Sequence, residues 1–323
     1  MTVQEAYEGI PGKRPYPSTS GLFRLVASRD PGYIHFMSRY ALFAVLPLLV
    51  FSAGGCATSP YRHGNGVESG NVLRLKPDEP QFEPGRENTF VDVLGWVFGI
   101  PSKIILLDSR ADNHKISEST VEYMREYLQS NSLTNVKVRV NQYSPGGEWS
   151  RLFRNKSVGA LWRYTFGTLS TLFYTILPGR VFGGDNYNPY TDTISLYSNH
   201  KAIAIHEGGH AKDFAPRKYK GTYAFFYMLP FASLYAEARA SNDAISYLHA
   251  QPSARGELEG YRILYPAYAT YIGGNAQYIF PYTAVYFGAL VPGHILGHWK
   301  GSRVESRRAA AGGGDSGLGE GAE

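Results

Sequence analysis

Cysteine is nearly absent from the chain, since the 323 residues contain only Cys56. A single thiol excludes an intramolecular disulfide framework and a zinc site built from cysteines. Long runs of one charge are also missing: 32 basic and 27 acidic residues are scattered along the sequence and give a formal net charge of +5. Without a Lys/Arg run or a nucleic-acid-binding motif, we expect no nucleic acid among the partners. Most of the chain has the composition of a globular protein.

The cysteine follows a segment with the layout of a signal peptide. Arg39 comes shortly after Met37, Ala41–Phe51 is uncharged and apolar, and small residues lead to Cys56. The end of this segment resembles the lipobox of bacterial lipoproteins, although Ala53 stands where leucine is usual. The resemblance implies a lipid anchor on the cysteine and a place in the bacterial cell envelope, facing the periplasm or the exterior. The alternative is a buried helix followed by an ordinary core thiol.

Composition divides the remainder into segments. If residues 37–56 are the signal peptide, residues 1–36 are a disordered or wrongly assigned extension ahead of a true start at Met37. Residues 57–88 are rich in proline, glycine and charge, which predicts a flexible tether. The folded body is expected to comprise a small region over 89–145 and a larger domain over 146–300. Residues 301–323 are predicted to form a disordered tail.

Short patterned segments predict a mixed α+β fold. Lys103–Asp108 (KIILLD) fits a strand, Ser117–Leu128 a helix and Asn135–Tyr143 a strand, so the small region is predicted to be strand, helix, strand. Trp162–Leu177 is almost entirely apolar and aromatic, which predicts a buried or membrane-apposed helix. Thr193–Tyr197 alternates between polar and apolar residues and predicts a half-buried edge strand that leads into the next helix.

That next helix, AIAIHEGGHAKDF, has the His-Glu-x-x-His spacing of zinc peptidases. On a helix, His206 and His210 project from one face about 6 Å apart, so both imidazoles can reach one ion. Glu207 would lie beside the ion, where a carboxylate can act as a general base on water. The two glycines between them cost roughly 1 kcal/mol each relative to alanine. A crowded metal site would account for this cost, because glycine lets a second helix or a substrate approach closely.

Two imidazoles leave a catalytic zinc site short of the third protein ligand that such sites usually have. Glu237 is the strongest candidate because it is the first acidic residue after an uncharged run from Gly221 to Tyr235, and a buried carboxylate needs a partner. The alternatives are a surface position for Glu237 or a pairing with Arg239. Asp243 is the substitute ligand.

A His-Glu-x-x-His helix followed by a second helix that donates a glutamate resembles the gluzincin metallopeptidases, the thermolysin-like clan, over about residues 185–247. The glycine before the second histidine is similar to a membrane-associated branch that includes the CAAX prenyl proteases and the membrane heat-shock peptidases. The resemblance implies a zincin-like helical core with an edge strand. It also implies one Zn²⁺ per chain on His206, His210 and Glu237, with Glu207 as general base.

The chain departs from the family pattern four residues after the third ligand. An aspartate there hydrogen-bonds the first histidine in the family, but this chain has Ser241. Ser241, Asp213 and Asp243 are the candidates for supporting the ligands, although Asp243 points roughly 240° around the helix from Glu237. The family stabilises the oxyanion with a Tyr, His or Arg from a later segment, and the open candidates are Tyr247, His249, Tyr265, Tyr268 and Tyr271.

Residues 263–299 contain no Lys, Arg, Asp or Glu. The segment is long enough to cross a bilayer once, and the basic residues from Lys300 onward would then lie on the cytoplasmic side. Pro281, Pro292 and many tyrosines fit a buried aromatic core or a re-entrant hairpin equally well. We therefore expect the membrane as a partner through Cys56, and either a crossing or a hairpin over 263–299.

Together these features predict an envelope-associated zinc peptidase that hydrolyses peptide bonds in a peptide or protein substrate. The first alternative is a non-catalytic, membrane-anchored lipoprotein that retains the zinc helix for structure or binding. The second is a membrane scaffold in which the histidine spacing is coincidental and the apolar helices carry the function.

Overall fold

A computed structural model describes residues 61–64 and 72–310 of the chain. These residues form a mixed α+β fold that is mostly helical, with one small four-stranded sheet. The predicted extension over 1–36, the predicted signal peptide and Cys56 lie outside the described residues, and so do residues 311–323.

The elements follow one another along the chain in this order: β1 (Phe82–Pro84), α1 (Thr89–Phe98), α2 (Ile100–Leu106), α3 (Glu118–Ser130), β2 (Lys137–Val140), α4 (Pro145–Arg154), α5 (Ala160–Trp162), a π-helical turn (Arg163–Gly167), α6 (Thr168–Ile176), α7 (Gly179–Phe182), β3 (Asn186–Asn188), β4 (Thr193–Leu196), α8 (Lys201–Phe214), α9 (Lys220–Tyr227), α10 (Ala232–Ala250), α11 (Ala254–Ala276), α12 (Thr283–Ser302) and α13 (Val304–Ala310).

The sheet has the strand order β1-β2-β4-β3, in which only β3 runs antiparallel to its neighbour. β4 is an internal strand with every residue buried, so the predicted half-buried edge strand is wrong. The turn that ends at Asp192, which has a φ of 54°, folds β3 back along the outside of β4. β3 therefore forms the edge of the sheet next to α8. The polar Thr193 and Ser195 lie in an internal strand and are buried.

The region over 89–145 differs from the predicted strand, helix, strand. α3 and β2 confirm the second and third elements, but Lys103–Asp108 lies mainly in α2. That helix has Pro101 in its first turn and ends at Leu107 in the left-handed conformation. A short apolar run fits a strand or a buried helix equally well, so the sequence pattern could not separate the two.

Both segments that were predicted to be unstructured contain ordered parts. Residues 72–88 are not a tether, because Leu73 is buried and β1 pairs with β2. α13 occupies the start of the predicted tail, where the Arg308 guanidinium lies 2.8 Å from the buried Glu257 carboxylate. Composition alone predicted unstructured segments here, because the contacts that order these residues come from distant parts of the chain.

The apolar segment Trp162–Leu177 is helical, as predicted, but it is not buried. Every residue of α6 except Thr171 is exposed or half-buried. Leu169, Phe173 and Ile176 expose 46%, 56% and 63% of their surface. The alternative of a buried helix is therefore wrong, and α6 presents an apolar face to the outside of the fold.

Residues 263–299 belong to two helices, α11 and α12, that pack as an antiparallel hairpin. A Cβ on Gly273 would lie 2.8 Å from the Tyr286 carbonyl oxygen, and one on Gly293 would lie 2.6 Å from the Ala269 side chain. Within the described residues, no single helix combines the length and apolarity of a membrane span, while α1 and α2 do so only as a pair bent by 47°. The segment therefore consists of two antiparallel helices and is not one continuous helix.

α8 occupies the centre of the fold, between the sheet and the helices α3, α10 and α11. The main core joins all of these elements, and its buried members include Met124, Ile194, Ile205, Ala244, Ile263 and Leu264. Because α8 is covered on several sides, most of its residues are buried, including the polar ones in its middle.

Candidate metal centre

α8 places His206 and His210 on one buried face, a helical turn apart. Their Nε2 atoms are 3.2 Å apart, and each residue exposes 8% of its surface. His200 caps the N-terminus of the helix, where its Nδ1 accepts a hydrogen bond from the Ala202 N–H at 3.2 Å. This cap fixes where the helix begins and so helps to set which face carries the two imidazoles.

Glu237 of α10 lies against both imidazoles. Its Oε2 is 3.1 Å from His206 Nε2 and its Oε1 is 3.4 Å from His210 Nε2. Burial would raise the pKa of Glu237, but His210 and His206 beside it hold that pKa well below its usual range. The surface alternative for Glu237 is wrong, and Arg239 pairs instead with Asp213 at 2.8 Å.

The three side chains form a group that can hold a metal ion. One ligand atom from each of His206, His210 and Glu237 lies within 4.8 Å of the others, and all three residues are buried. Two imidazoles and a carboxylate are a donor set that transition-metal ions accept. The residues present therefore fit a metal.

The glycine pair allows α8 to be approached closely from two sides. A Cβ on Gly209 would lie 3.0 Å from the Ala240 carbonyl oxygen and 3.1 Å from the Ala240 Cα, both in the backbone of α10. A Cβ on Gly208 would lie 2.5 Å from the ring of Tyr127 on α3. The expected close approach of a second helix is present, and it brings Glu237 to the histidines.

Glu207 lies beside the three ligand candidates, not among them. Its carboxylate borders a cavity and accepts a hydrogen bond from the Tyr187 N–H of the edge strand β3. Burial raises the pKa of Glu207 to about 8. A buried carboxyl group that faces a cavity next to a metal-ligating group is positioned to exchange a proton there.

The cavity has a volume of about 390 Å³ and borders Glu207, His210 and Glu237. Its walls come from α6, from β3 with the turn after it, and from the end of α9 with the residue that follows. The wall residues include Phe166, Leu169, Phe173, Tyr187, Pro189, Tyr190, Tyr227 and Met228. Polar ligand candidates thus lie at one side of a mainly apolar and aromatic chamber, as in many small-molecule and peptide sites.

Of the five oxyanion candidates, only Tyr271 of α11 lines this cavity. Its hydroxyl hydrogen-bonds Glu237, and burial, followed by the charge of Glu237, raises the pKa of Tyr271 well above its usual value. His249 is engaged elsewhere, with its Nδ1 2.9 Å from Glu257. Tyr268 donates to the Leu234 carbonyl oxygen at 3.3 Å.

Asp185 is a cavity residue that the sequence pattern did not single out. Its carboxylate accepts hydrogen bonds from the Tyr197 N–H at 2.7 Å and the Ser198 N–H at 3.1 Å, and it also bonds the Ser198 hydroxyl. Burial and the charge of Asp112 raise the pKa of Asp185 to about 6. Only its position just before a turn-rich strand could have drawn attention to it.

Ser241, one turn beyond Glu237 on α10, supports the first histidine. Its Oγ lies 3.3 Å from His206 Nδ1. With the Nδ1–H donated to this hydroxyl, the Nε2 lone pair faces the centre of the three-residue group, which is the tautomer that a metal requires.

The other two candidates for this supporting role are wrong. The Asp243 carboxylate bonds Tyr61, Tyr127 and Lys212 and ties the segment 61–64 to the fold. It is also not a substitute ligand, because it faces away from the histidines.

Asp213 accepts hydrogen bonds from Arg217, Tyr223 and Tyr227. It therefore positions Tyr227, a wall residue of the cavity, and neither histidine. Burial would raise the pKa of Asp213, but the hydroxyl of Tyr223 and the guanidinium of Arg217 lower it.

Comparison with known proteins gives no match. No family model, no curated protein and no solved structure matches this chain. The site itself can bind a metal ion, exchange a proton at Glu207 and admit a ligand to the cavity.

Proposed function

We propose that the protein is a zinc-dependent peptidase of the gluzincin type. The observation that carries the proposal is that two members of the group His206, His210 and Glu237, namely His210 and Glu237, border the same cavity as the separate carboxyl group of Glu207. A set of two histidines and one glutamate is a ligand set that catalytic zinc uses in peptidases. The carboxylate that follows the first histidine then has the general-base role that the resemblance implies.

Zinc, when bound, supplies Lewis acidity at the scissile carbonyl and makes water more acidic. Glu207 accepts a proton from the attacking water as its oxygen bonds to the carbonyl carbon. Glu207 then gives that proton to the leaving amine as the C–N bond breaks, so the water is divided between the new carboxyl group and the new amine. In this proposal the hydroxyl of Tyr271 donates a hydrogen bond to the oxyanion.

The substrate in this proposal is an extended peptide or protein segment. β3 is an edge strand and lies along the cavity, so its outer backbone groups other than the Tyr187 N–H, which bonds Glu207, can pair with an extended chain. The apolar wall provided by Phe166, Leu169 and Phe173 favours a large apolar side chain near the bond that is cleaved.

The proposal places the enzyme in the bacterial cell envelope, anchored through a lipid on Cys56 and facing the periplasm or the exterior. This rests on the signal-peptide layout of residues 37–56. Growth with an alkyne-tagged fatty acid tests it, since the full chain should carry the tag and Cys56→Ser should not. An untagged full chain would contradict the anchor without affecting the metal site.

Glu207→Gln tests the peptidase proposal most directly. Wild-type protein should contain about one zinc per chain by elemental analysis and cleave members of a peptide library resolved by mass spectrometry. Glu207→Gln should keep the zinc and the circular dichroism spectrum but lose at least about a hundredfold in cleavage rate. Glu126→Gln, an exposed glutamate on α3, is the matched control and should cleave normally.

Two results would overturn the proposal in different ways. Protein that contains no metal and takes up none would remove the enzyme hypothesis. Protein that binds zinc on the three ligands but cleaves no peptide, with or without Glu207→Gln, would favour the non-catalytic lipoprotein instead.

A further inference from the structure

Large apolar side chains cover the outer faces of several neighbouring helices. They lie on α1, α2, α6 and α12, and each exposes between 42% and 73% of its surface. We define the apolar surface by six of them: Phe90, Ile104, Leu172, Ile176, Phe287 and Ile295. Outer faces of helices in water normally carry charged residues, so a helix that is apolar on its outer face requires an explanation.

Contacts between the helices join these faces into one region. Phe182 is the last residue of α7, the helix that follows α6. The centre of its ring lies 4.8 Å from the centre of the Phe98 ring at the end of α1. His294 of α12 lies with its Nε2 2.9 Å from the Ile105 carbonyl oxygen of α2. The exposed Ile104 precedes Ile105 in α2, and the exposed Ile295 follows His294 in α12, so both lie beside this hydrogen bond.

The charges within this region are used inside the protein. α6 and residues 283–299 of α12 contain no charged residue. Asp92 of α1 pairs with Arg180 at 2.7 Å. Lys103 of α2 donates to the carbonyl oxygens of Trp96 and Asp112 at 3.2 and 2.8 Å. The surface therefore offers apolar side chains without charges that would resist transfer out of water.

Two basic residues are paired with exposed aromatic rings, one just beyond α12 and one just before α9. The Arg303 guanidinium lies 4.1 Å from the ring of Trp299 at the end of α12, and Lys218 Nζ lies 5.5 Å from the ring of Tyr219. Aromatic rings and long basic side chains together are typical of the boundary between lipid and water, where the cation meets anionic headgroups. This charge complementarity favours a lipid surface over an apolar protein partner.

We infer that the apolar surface docks onto a lipid bilayer that contains anionic headgroups. The 47° bend between α1 and α2 suits shallow insertion into one leaflet, since a bent pair lies along a surface more readily than it spans a membrane. Leu169 and Phe173 are exposed and also line the cavity, so docking holds the apolar wall of the cavity beside the lipid. The docking surface does not depend on peptidase activity.

Site-directed spin labelling tests the inference, because Cys56 is the only cysteine. In the full chain with Cys56→Ser, a nitroxide is attached in turn at Leu172→Cys, at Ile295→Cys and at Gln129→Cys, an exposed residue of α3 that serves as the control. The rates at which each nitroxide collides with oxygen and with an aqueous nickel chelate are then measured. These rates are compared with and without vesicles of phosphatidylcholine and phosphatidylglycerol. Residues 41–51 are the same in every variant, so differences between the labelled positions report on the docking surface itself.

Vesicles should cause the labels at positions 172 and 295 to lose most of their nickel collisions and gain oxygen collisions. The label at position 129 should not change. Nitroxides at 172 and 295 that remain as accessible to nickel as the one at 129 would overturn the inference. Loss of nickel collisions in the absence of vesicles, with a dimer in sedimentation velocity, would also overturn it and assign the surface to a second copy of the chain.

The basic residues provide an independent arm. Lys218→Gln with Arg303→Gln should lower binding to vesicles containing phosphatidylglycerol by up to about 25-fold and leave binding to pure phosphatidylcholine unchanged, because each basic residue near an anionic surface contributes about fivefold. Lys76→Gln, an exposed lysine away from these helices in sequence, is the matched control. An equal effect of Lys76→Gln would mean that net charge, and not the docking surface, attracts the protein to lipid.

Discussion

Ser241 Oγ lies 3.3 Å from His206 Nδ1, which orients the imidazole so that its Nε2 faces Glu237. A neutral hydroxyl can accept the Nδ1–H, although less strongly than a carboxylate would. We expect Ser241→Ala to lower zinc affinity about tenfold, measured by competition with a fluorescent chelator. Ser241→Thr keeps the hydroxyl and should retain most of the affinity, whereas equal affinities in all three proteins would show that the contact does not support the ligand.

Gly209→Ala should separate α8 from α10. The new Cβ would lie 3.0 Å from the Ala240 carbonyl oxygen, so we expect a loss of about 1–3 kcal/mol in the free energy of unfolding, despite the higher helix propensity of alanine. Gly288→Ala in α12 is the matched control, because nothing lies within 4 Å of its Cβ position, and it should stabilise by up to about 1 kcal/mol. Urea unfolding compares the two, and equal effects would argue against close packing at Gly209.

Metal removal should destabilise the fold. A metal that binds only the folded state stabilises it by about 2.7 kcal/mol at a hundredfold excess over its dissociation constant. We expect the melting temperature to fall in chelator and to recover with Zn²⁺ but not with Mg²⁺, which prefers oxygen ligands. Glu237→Gln should abolish most of the zinc-dependent rise, and a rise of the same size in that variant would place the metal elsewhere.

Tyr271→Phe tests the role of the hydroxyl next to Glu237. If the hydroxyl stabilises the oxyanion, its loss should lower kcat by about a hundredfold with a small change in KM, because the contact is made in the transition state. Zinc content should not change. The control is Tyr278→Phe, an exposed tyrosine just beyond α11, which should leave the kinetics as they are. A higher KM at constant kcat would instead indicate ground-state binding.

His200 should make stability dependent on pH. Burial, with Arg110 nearby, lowers the pKa of His200 to about 4 from 6.5, while Asp108 and Glu259 act in the opposite direction. The unfolded chain therefore binds a proton that the folded chain does not. The contribution of His200 to stability is complete above about pH 6.5 and declines as the pH falls toward 4, by up to about 3 kcal/mol.

His200→Asn isolates this effect, since asparagine can cap α8 but does not titrate. Urea unfolding at pH 7.5 and pH 5 should show a smaller loss of stability on acidification in His200→Asn than in the wild type. The same pH dependence in both proteins would show that other groups account for it.

Local sequence patterns were sufficient to predict the local parts of the site. A spacing of four residues on a helix places His206 and His210 on one face whatever surrounds them. The uncharged run before Glu237 indicated a buried carboxylate that needs a partner, and the interior glycine pair indicated close packing against α8. These inferences depend on helical periodicity and on the cost of burying charge, which are properties of neighbouring residues.

Which distant residues join them depends on how the helices and strands pack together. β3 takes the sheet edge that was predicted for Thr193–Tyr197, because strand order depends on pairing with β2 far away in the chain. Tyr271 and Asp185 reach the cavity through the packing of α11 and the turn before β3, and neither carries a local signal. KIILLD became a helix because a short apolar run leaves the choice to its surroundings.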